Sequence, residues 1–210
     1  MKTKTFKEAI DFRHACKIFD ENKKIGDEDI KEILTAGIKA PSSFGMEAWK
    51  FLVITNEELK AKLRPLCWDQ VQITSCSHLV VILAKIDALK PASKIPEARF
   101  KRREMPQDKL DFYLGLYAGH LKETLKSDEN IYAWSSKQTY LAASNIMNCA
   151  ATLGIDSCPI EGYDKKDVED ALGLDTKQYQ LSLVIPLGYR LNEQSEQLRL
   201  SYEEVVEFIK

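Results

Sequence analysis

The sequence predicts a mixed helix–strand fold, α+β or α/β rather than a helical bundle, on three observations. Two apolar, β-rich runs, WKFLVIT at 49–55 and HLVVILAKI at 78–86, read as core strands, and a third follows at 180–187. Around them lie stretches suited to helices, the longest at 110–126 and 131–153. Helices outweigh strands, but strands this apolar do not belong to an all-helical protein.

Taken in order, residues 5–13 form a first helix, with Phe6, Ile10 and Arg13 at helical spacing. Asp27 reads as the N-cap of a second helix, with Glu28 and Asp29 favourably placed in its first turn. Ile30, Ile33, Leu34, Gly37 and Ile38 share one face of it, and it stops before Pro41. APSSFGMEA is a polar loop leading into the first strand, and a short helix at 57–63 follows that strand. The charged, proline-interrupted stretch 90–103 reads as a mobile excursion, which with the helix at 110–126 makes a candidate lid. The helix at 131–153 is rich in Ala, Ser, Thr and Asn, which suits close packing, and Gly154 ends it. GIDSCPIEGYD is read as a loop, 164–172 as a short helix, and 201–209 as a terminal helical or docking segment.

At 210 residues, with no repeat, low-complexity tract or flexible linker, the chain is expected to form one domain spanning 1–210. Thirty basic against 32 acidic residues leave a net charge of -2, so no bulk field favours nucleic acid or an anionic membrane. Lys101-Arg102-Arg103 is the densest basic run, and it is short. The N-terminus lacks the apolar stretch of a signal peptide, and no run approaches the ~18 apolar residues of a membrane span. Five scattered cysteines without a C-x-x-C pair fit reduced thiols, and the cytoplasm is the expected compartment.

Common catalytic signatures are missing. There is no G-x-G-x-x-G, Walker loop or G-x-S-x-G elbow, and His14, His78 and His120 lack metal-ligand spacing. Gly115-x-x-x-Gly119 reads as a helix-packing face. Three polar clusters remain. Arg13-His14-Ala15-Cys16-Lys17 offers three donors suited to a phosphate or ring oxygens, or simply a basic helix end facing the C-terminal dipole. Residues 41–49, PSSFGMEAW, offer hydroxyls and backbone N–H groups able to line a planar ligand, or a plain connection. In CPIEGY, 158–163, Gly162 permits close backbone approach to a ligand, or marks an ordinary turn.

In this order and register the clusters resemble the FMN-dependent nitroreductase family. RHACKIF at 13–19, PSSFGMEAWKF at 41–51, PIEGY at 159–163 and PLGY at 186–189 match its four patterns, and the likeness spans nearly the whole chain. The resemblance implies an α+β fold with a central, mainly antiparallel sheet flanked by helices, in an intertwined homodimer with FMN at the interface. It implies that Arg13, His14 and Lys17 hold FMN by its ribityl chain, phosphate and pyrimidine edge, and that Ser42 and Ser43 border the flavin. It implies Glu161 and Gly162 beside the isoalloxazine with a backbone N–H near N5, Gln72 on the pyrimidine, and Arg199 on the phosphate. No side chain is then required as acid or base, because the flavin carries the chemistry. NADH or NADPH would reduce it, and a nitroaromatic or quinone acceptor would reoxidise it in a ping-pong cycle. The tail from 190 to 210 would wrap the partner, and the small residues Ala142, Ala143, Asn145 and Ala150 suit either a dimer interface or a core helix. Phe100, Phe112 and Tyr113 are candidate aromatic walls for the acceptor.

The chain departs from the pattern at Gly45, Glu47 and Ala48, where many members have Asn, Gln and Pro. Gln197 stands where a basic residue is common, and Gln72 where Lys is common; the latter should lower the flavin's reduction potential. Two other readings share these residues. One is a specialised flavin reaction such as dehalogenation, enone reduction or flavin destruction. The other is a flavin-binding redox sensor reporting through Cys16 or Cys158.

Overall fold

In the computed structural model, residues 3–90 and 92–210 are described; Met1, Lys2 and Pro91 lie outside the described residues, so the first residues of the N-terminal stretch and one position of the 90–103 stretch carry no structural account. The elements are α1 (Phe6–Phe12), α2 (Asp27–Ile38), β1 (Trp49–Ile54), α3 (Glu57–Leu66), α4 (Gln72–Ser75), β2 (His78–Lys85), α5 (Ile95–Lys101), α6 (Gln107–Glu123), α7 (Asp128–Thr152), β3 (Asp156–Ser157), α8 (Lys165–Ala171), β4 (Tyr179–Gly188) and α9 (Tyr202–Val205).

The four strands form one sheet in the order β1-β2-β4-β3, and every pairing between them is antiparallel. The fold is therefore α+β. Central strands read as continuous apolar runs because both faces are covered. Val80 and Ile82 of β2 pack with α2 and α7, while Leu79, Val81 and Leu83 pack on the opposite face with Leu63, Ile73 and Val168. On β4 the alternation slips, since the register shifts so that Ile82 pairs with Leu183 and Leu83 with Leu181. Ser182 is the extra residue of this bulge, and its hydroxyl shares a 2.6 Å hydrogen bond with Thr139 of α7.

Several boundaries differ from the sequence reading for local reasons. Gly26, in extended conformation, is the N-cap of α2, and Asp27 is already helical, with its carboxylate in the favourable first turn. GIDSCPIEGYD is not a simple loop: Asp156–Ser157 pairs with β4 and Ile160 bridges Val184, so this segment edges the sheet. The charged 90–103 stretch contains α5, held by buried Phe100. Gly115 and Gly119 have no neighbour within 4 Å of where a Cβ would stand, so that pair is not a packing face within the protomer. On α1 Ala9 is buried while Phe6 and Ile10 are exposed, and on α2 Ile38 is exposed although Ile30, Ile33 and Gly37 are buried. Ala142, Ala143 and Ala150 are buried inside the protomer, and Asn145 donates to the carbonyl of Ala36 on α2. Of the proposed terminal helix only Tyr202–Val205 is helical.

Candidate functional site

Three remote segments meet beside the β3 edge. The chain after α1 pairs with β3, with Ala15 bridged to Ser157 and the Cys16 N–H bonded to the Ser157 carbonyl at 3.1 Å. This pairing aims Lys17 at the next turn of the 156–163 segment, where its Nζ lies 3.8 Å from Cys158 Sγ. The amide of Gln72, at the start of α4, approaches the same sulfur at 3.9 Å. Burial pushes the Cys158 thiol pKa up, against the opposing pull of Lys17 and Gln72.

Gln72 also donates to Gln70 Oε1 at 2.9 Å, and Gln70 Nε2 donates to the carbonyls of Cys67 at 3.0 Å and Gly162 at 2.9 Å. Lys17, Gln72 and Gly162 are thus joined through Cys158 and Gln70. The Gly162 N–H has no acceptor among the described residues, while the next N–H, that of Tyr163, turns back to the Glu161 carbonyl at 3.0 Å. A Cβ at Gly162 would stand 2.6 Å from Cε3 of Trp68, so any larger residue there requires the indole to move. Trp68 itself is 66% exposed.

The other predicted residues divide. Glu161 accepts a hydrogen bond from the Tyr140 hydroxyl of α7, and burial first, then Glu161, raises the tyrosine's pKa. Ser43 donates its backbone N–H to Gln138 of α7 at 2.8 Å, and Ser42 Oγ accepts from the Glu47 N–H at 3.0 Å; neither serine hydrogen-bonds to the Lys17–Gly162 group. His14 faces Asp156 at 3.7 Å, its Nδ1 otherwise without a partner among the described residues, and burial and Arg190 lower its pKa. Arg13 is half-buried, and Arg199 is exposed, donating only to the carbonyl of Leu198 among the described residues. Gln197 instead satisfies the end of α1, donating to the carbonyls of Ile10, Asp11 and Arg13 at 3.1, 3.0 and 2.6 Å, which brings the tail to the Arg13 segment.

Glu47 adopts φ +49 and pairs with Arg99 at 2.7 Å and Arg102 at 2.8 Å, tying α5 to the 41–48 loop. Phe100 is buried, Tyr113 stacks on it at 5.8 Å, and Phe112 is 62% exposed. Spacing did not single out Gln70, Trp68 or Tyr140. The WDQVQ run, dense in hydrogen-bonding groups beside a strand, was the available signal for the first two.

A profile of the nitroreductase family matches residues 10–189. The chain belongs to this family. A Bacillus subtilis relative, YfkO, provisionally named an NAD(P)H nitroreductase, is 38% identical over 96% of each chain. A Staphylococcus epidermidis crystal structure, provisionally assigned as an NAD(P)H:FMN oxidoreductase, superposes with a TM-score of 0.86 at 28% identity, covering 100% of this chain and 98% of that one. A nitroreductase-assigned protein of Exiguobacterium sibiricum, crystallised in complex with FMN, gives 0.85 at 25% identity over 99% of each chain. The shared fold accounts for the order of the clusters, since each nitroreductase pattern sits on an element bordering the β3 edge or on the loop before β1.

Proposed function

We propose that this nitroreductase is an FMN-dependent oxidoreductase that takes electrons from NADH or NADPH and passes them to nitroaromatic or quinone acceptors. The observation that carries this reading is the Lys17–Gln72–Gly162 convergence, in which a cation and an amide reach the Cys158 sulfur and the same amide is joined through Gln70 to Gly162, whose N–H has no acceptor among the described residues. That donor set fits FMN. Lys17 and Gln72 would hold the pyrimidine edge, whose oxygens accept hydrogen bonds, and the Gly162 N–H would point to N5. Arg13, His14 and Arg199 would hold the ribityl phosphate, Arg by bidentate bonds. Ser42 and Ser43 would border the ring, and Glu161, oriented by Tyr140, would sit beside it.

When bound, FMN supplies hydride and electron chemistry, and the protein supplies binding, orientation and electrostatics. Donor and acceptor would take turns on one open flavin face, with Phe112 and Tyr113 of α6 as walls. Ser42 and Ser43 bond to Glu47 and Gln138 and not, among the described residues, to the Lys17 group, which supports a site completed across a homodimer. Exposed Phe6, Leu198, Phe208 and Ile209 support the same assembly, with the 190–210 tail wrapped on the partner. Burial of Cys16, whose pKa is pushed up to about 11, and of Cys158 argues against a thiol sensor.

The test is anaerobic mixing of the FMN-loaded protein with NADH or NADPH. Bleaching, followed by recolouring with a nitroaromatic or a quinone, is expected. Flavin that never bleaches overturns the reading. Recolouring by an enone or a halogenated aromatic alone moves the assignment to a specialised acceptor.

A further inference from the structure

The chain holds Gly162 at its carbonyl and over its Cα, and the device that does so uses an unusual backbone. After α3, Trp68 and Asp69 both adopt positive φ, +53 each, a region non-glycine residues enter only at a cost of about 1 kcal/mol or more apiece. Such strain persists where surrounding contacts over-determine it. Here Arg64 pins Asp69, with Nε 2.8 Å from the carboxylate and the Asp69 N–H bonded to the Arg64 carbonyl at 3.1 Å. The strained turn has two outputs, both onto Gly162. The exposed Trp68 indole lies where a Cβ would otherwise be, and the Gln70 amide grips the Gly162 carbonyl.

Gln70 commits both amide hydrogens and its amide oxygen to this contact network. It donates to Cys67 and Gly162, and it accepts from Gln72. Gln70 fixes the Gly162–Tyr163 peptide by its carbonyl, and the Tyr163 N–H of that same peptide bonds the Glu161 carbonyl, which stands trans to the Gly162 N–H in the Glu161–Gly162 peptide. The direction of its N–H is thereby set.

We propose that Gln70 is a positioning residue that aims the Gly162 N–H, working from the strained Trp68–Asp69 turn and coupling that aim to Gln72. The consequence for a bound flavin rests on the FMN reading above. Oxidised N5 has a lone pair that accepts this N–H, whereas reduced N5 carries its own hydrogen. A firmly aimed donor therefore favours the oxidised form and holds the reduction potential down.

The experiment compares wild type with Gln70→Leu and Gln70→Glu; the second keeps an oxygen for Gln72 but removes both donors. In the flavin-free protein, the backbone order parameter of Gly162 should fall from the ~0.85 of rigid backbone to below ~0.6 in both variants. In the FMN-loaded protein, Kd for FMN should rise about tenfold, the equivalent of ~1.4 kcal/mol, and the midpoint potential should move upward. An unchanged order parameter at Gly162 overturns the positioning role. A lowered order parameter with an unmoved potential shows that Gln70 braces the loop only, which also overturns it. If Gln70→Leu does not fold, Gln70→Glu decides by the same readouts. A wild-type protein that takes up no FMN overturns the function proposed above, while the flavin-free measurement still decides whether Gln70 holds Gly162.

Discussion

Arg190 closes on Asp156 with both its backbone and its side chain: N to Oδ2 at 2.9 Å, Nε to Oδ1 at 2.9 Å, and Nη2 to Oδ1 at 2.6 Å. Asp156 is 4% exposed and begins β3, and Arg190 is the second residue after β4. The pair therefore joins the sheet edge to the root of the tail, and Arg190 goes on to bond the Phe12 carbonyl and Gln194. Asp156→Asn leaves the guanidinium without its counter-charge in a mostly dry place. We expect a loss of about 2–3 kcal/mol, a fall in Tm of roughly 5–10 °C for a chain of this size. Calorimetry checks it; a fall of under ~1 °C contradicts the role given to the pair.

Acid should weaken the fold before the carboxylates titrate. Burial, then Arg190, lowers the pKa of His14 below its ordinary 6.5, and burial, then Lys60, lowers that of His78. Both imidazoles are held neutral in the folded protein, so the unfolded chain binds more protons in this window. Their contribution is complete above about pH 6.5 and is lost as pH falls through the depressed folded values. Tm should decline between pH 7.5 and 5.5, and the His14→Asn/His78→Asn pair should flatten that slope. An unchanged slope contradicts the assignment.

Much of the fold was legible because its signals are local. Apolar runs at 49–55, 78–86 and 180–187 are strands within a residue or two, since β2 and the heart of β4 are covered on both faces. What was not legible depends on partners distant in sequence. Asp156–Ser157 looks like loop sequence and becomes a strand only because β4 offers it an edge. The 90–103 stretch carries the charges of a solvated loop, yet Glu47, over 50 residues earlier, pairs with two of them and helps hold a helix there. At the candidate site Lys17, Gln72 and Gly162 could be named from family patterns. Gln70 and Trp68 could not, because their role appears only once α3 and the 158–163 segment lie side by side.

The packing of Trp68 on Gly162 makes a prediction of sign. Gly162→Ala sets a methyl 2.6 Å from the indole and should weaken FMN binding roughly tenfold or more, with destabilisation of about 1–3 kcal/mol. Trp68→Ala opens the space, so the double variant should recover much of the loss in stability. A double-mutant cycle in denaturant that shows pure additivity would place the cost elsewhere.

Gln72 and Lys17 both reach Cys158 Sγ. Gln72→Lys brings a second ammonium to a spot that already has one. A cation there favours the anionic reduced flavin, so the midpoint potential should rise by about 30 mV, equivalent to ~1.4 kcal/mol for a two-electron couple. Potentiometric titration of both proteins decides it, and an unshifted or lowered potential contradicts the placement of residue 72 at the pyrimidine edge.

The central claim, that these residues form an FMN cradle, is tested most directly by titrating the flavin-free protein with FMN and following flavin fluorescence. Saturation is expected at one FMN per chain, with Lys17→Ala and Arg13→Ala each raising Kd at least tenfold while the fold stays intact. Absence of saturable binding, or binding indifferent to both substitutions, would contradict it.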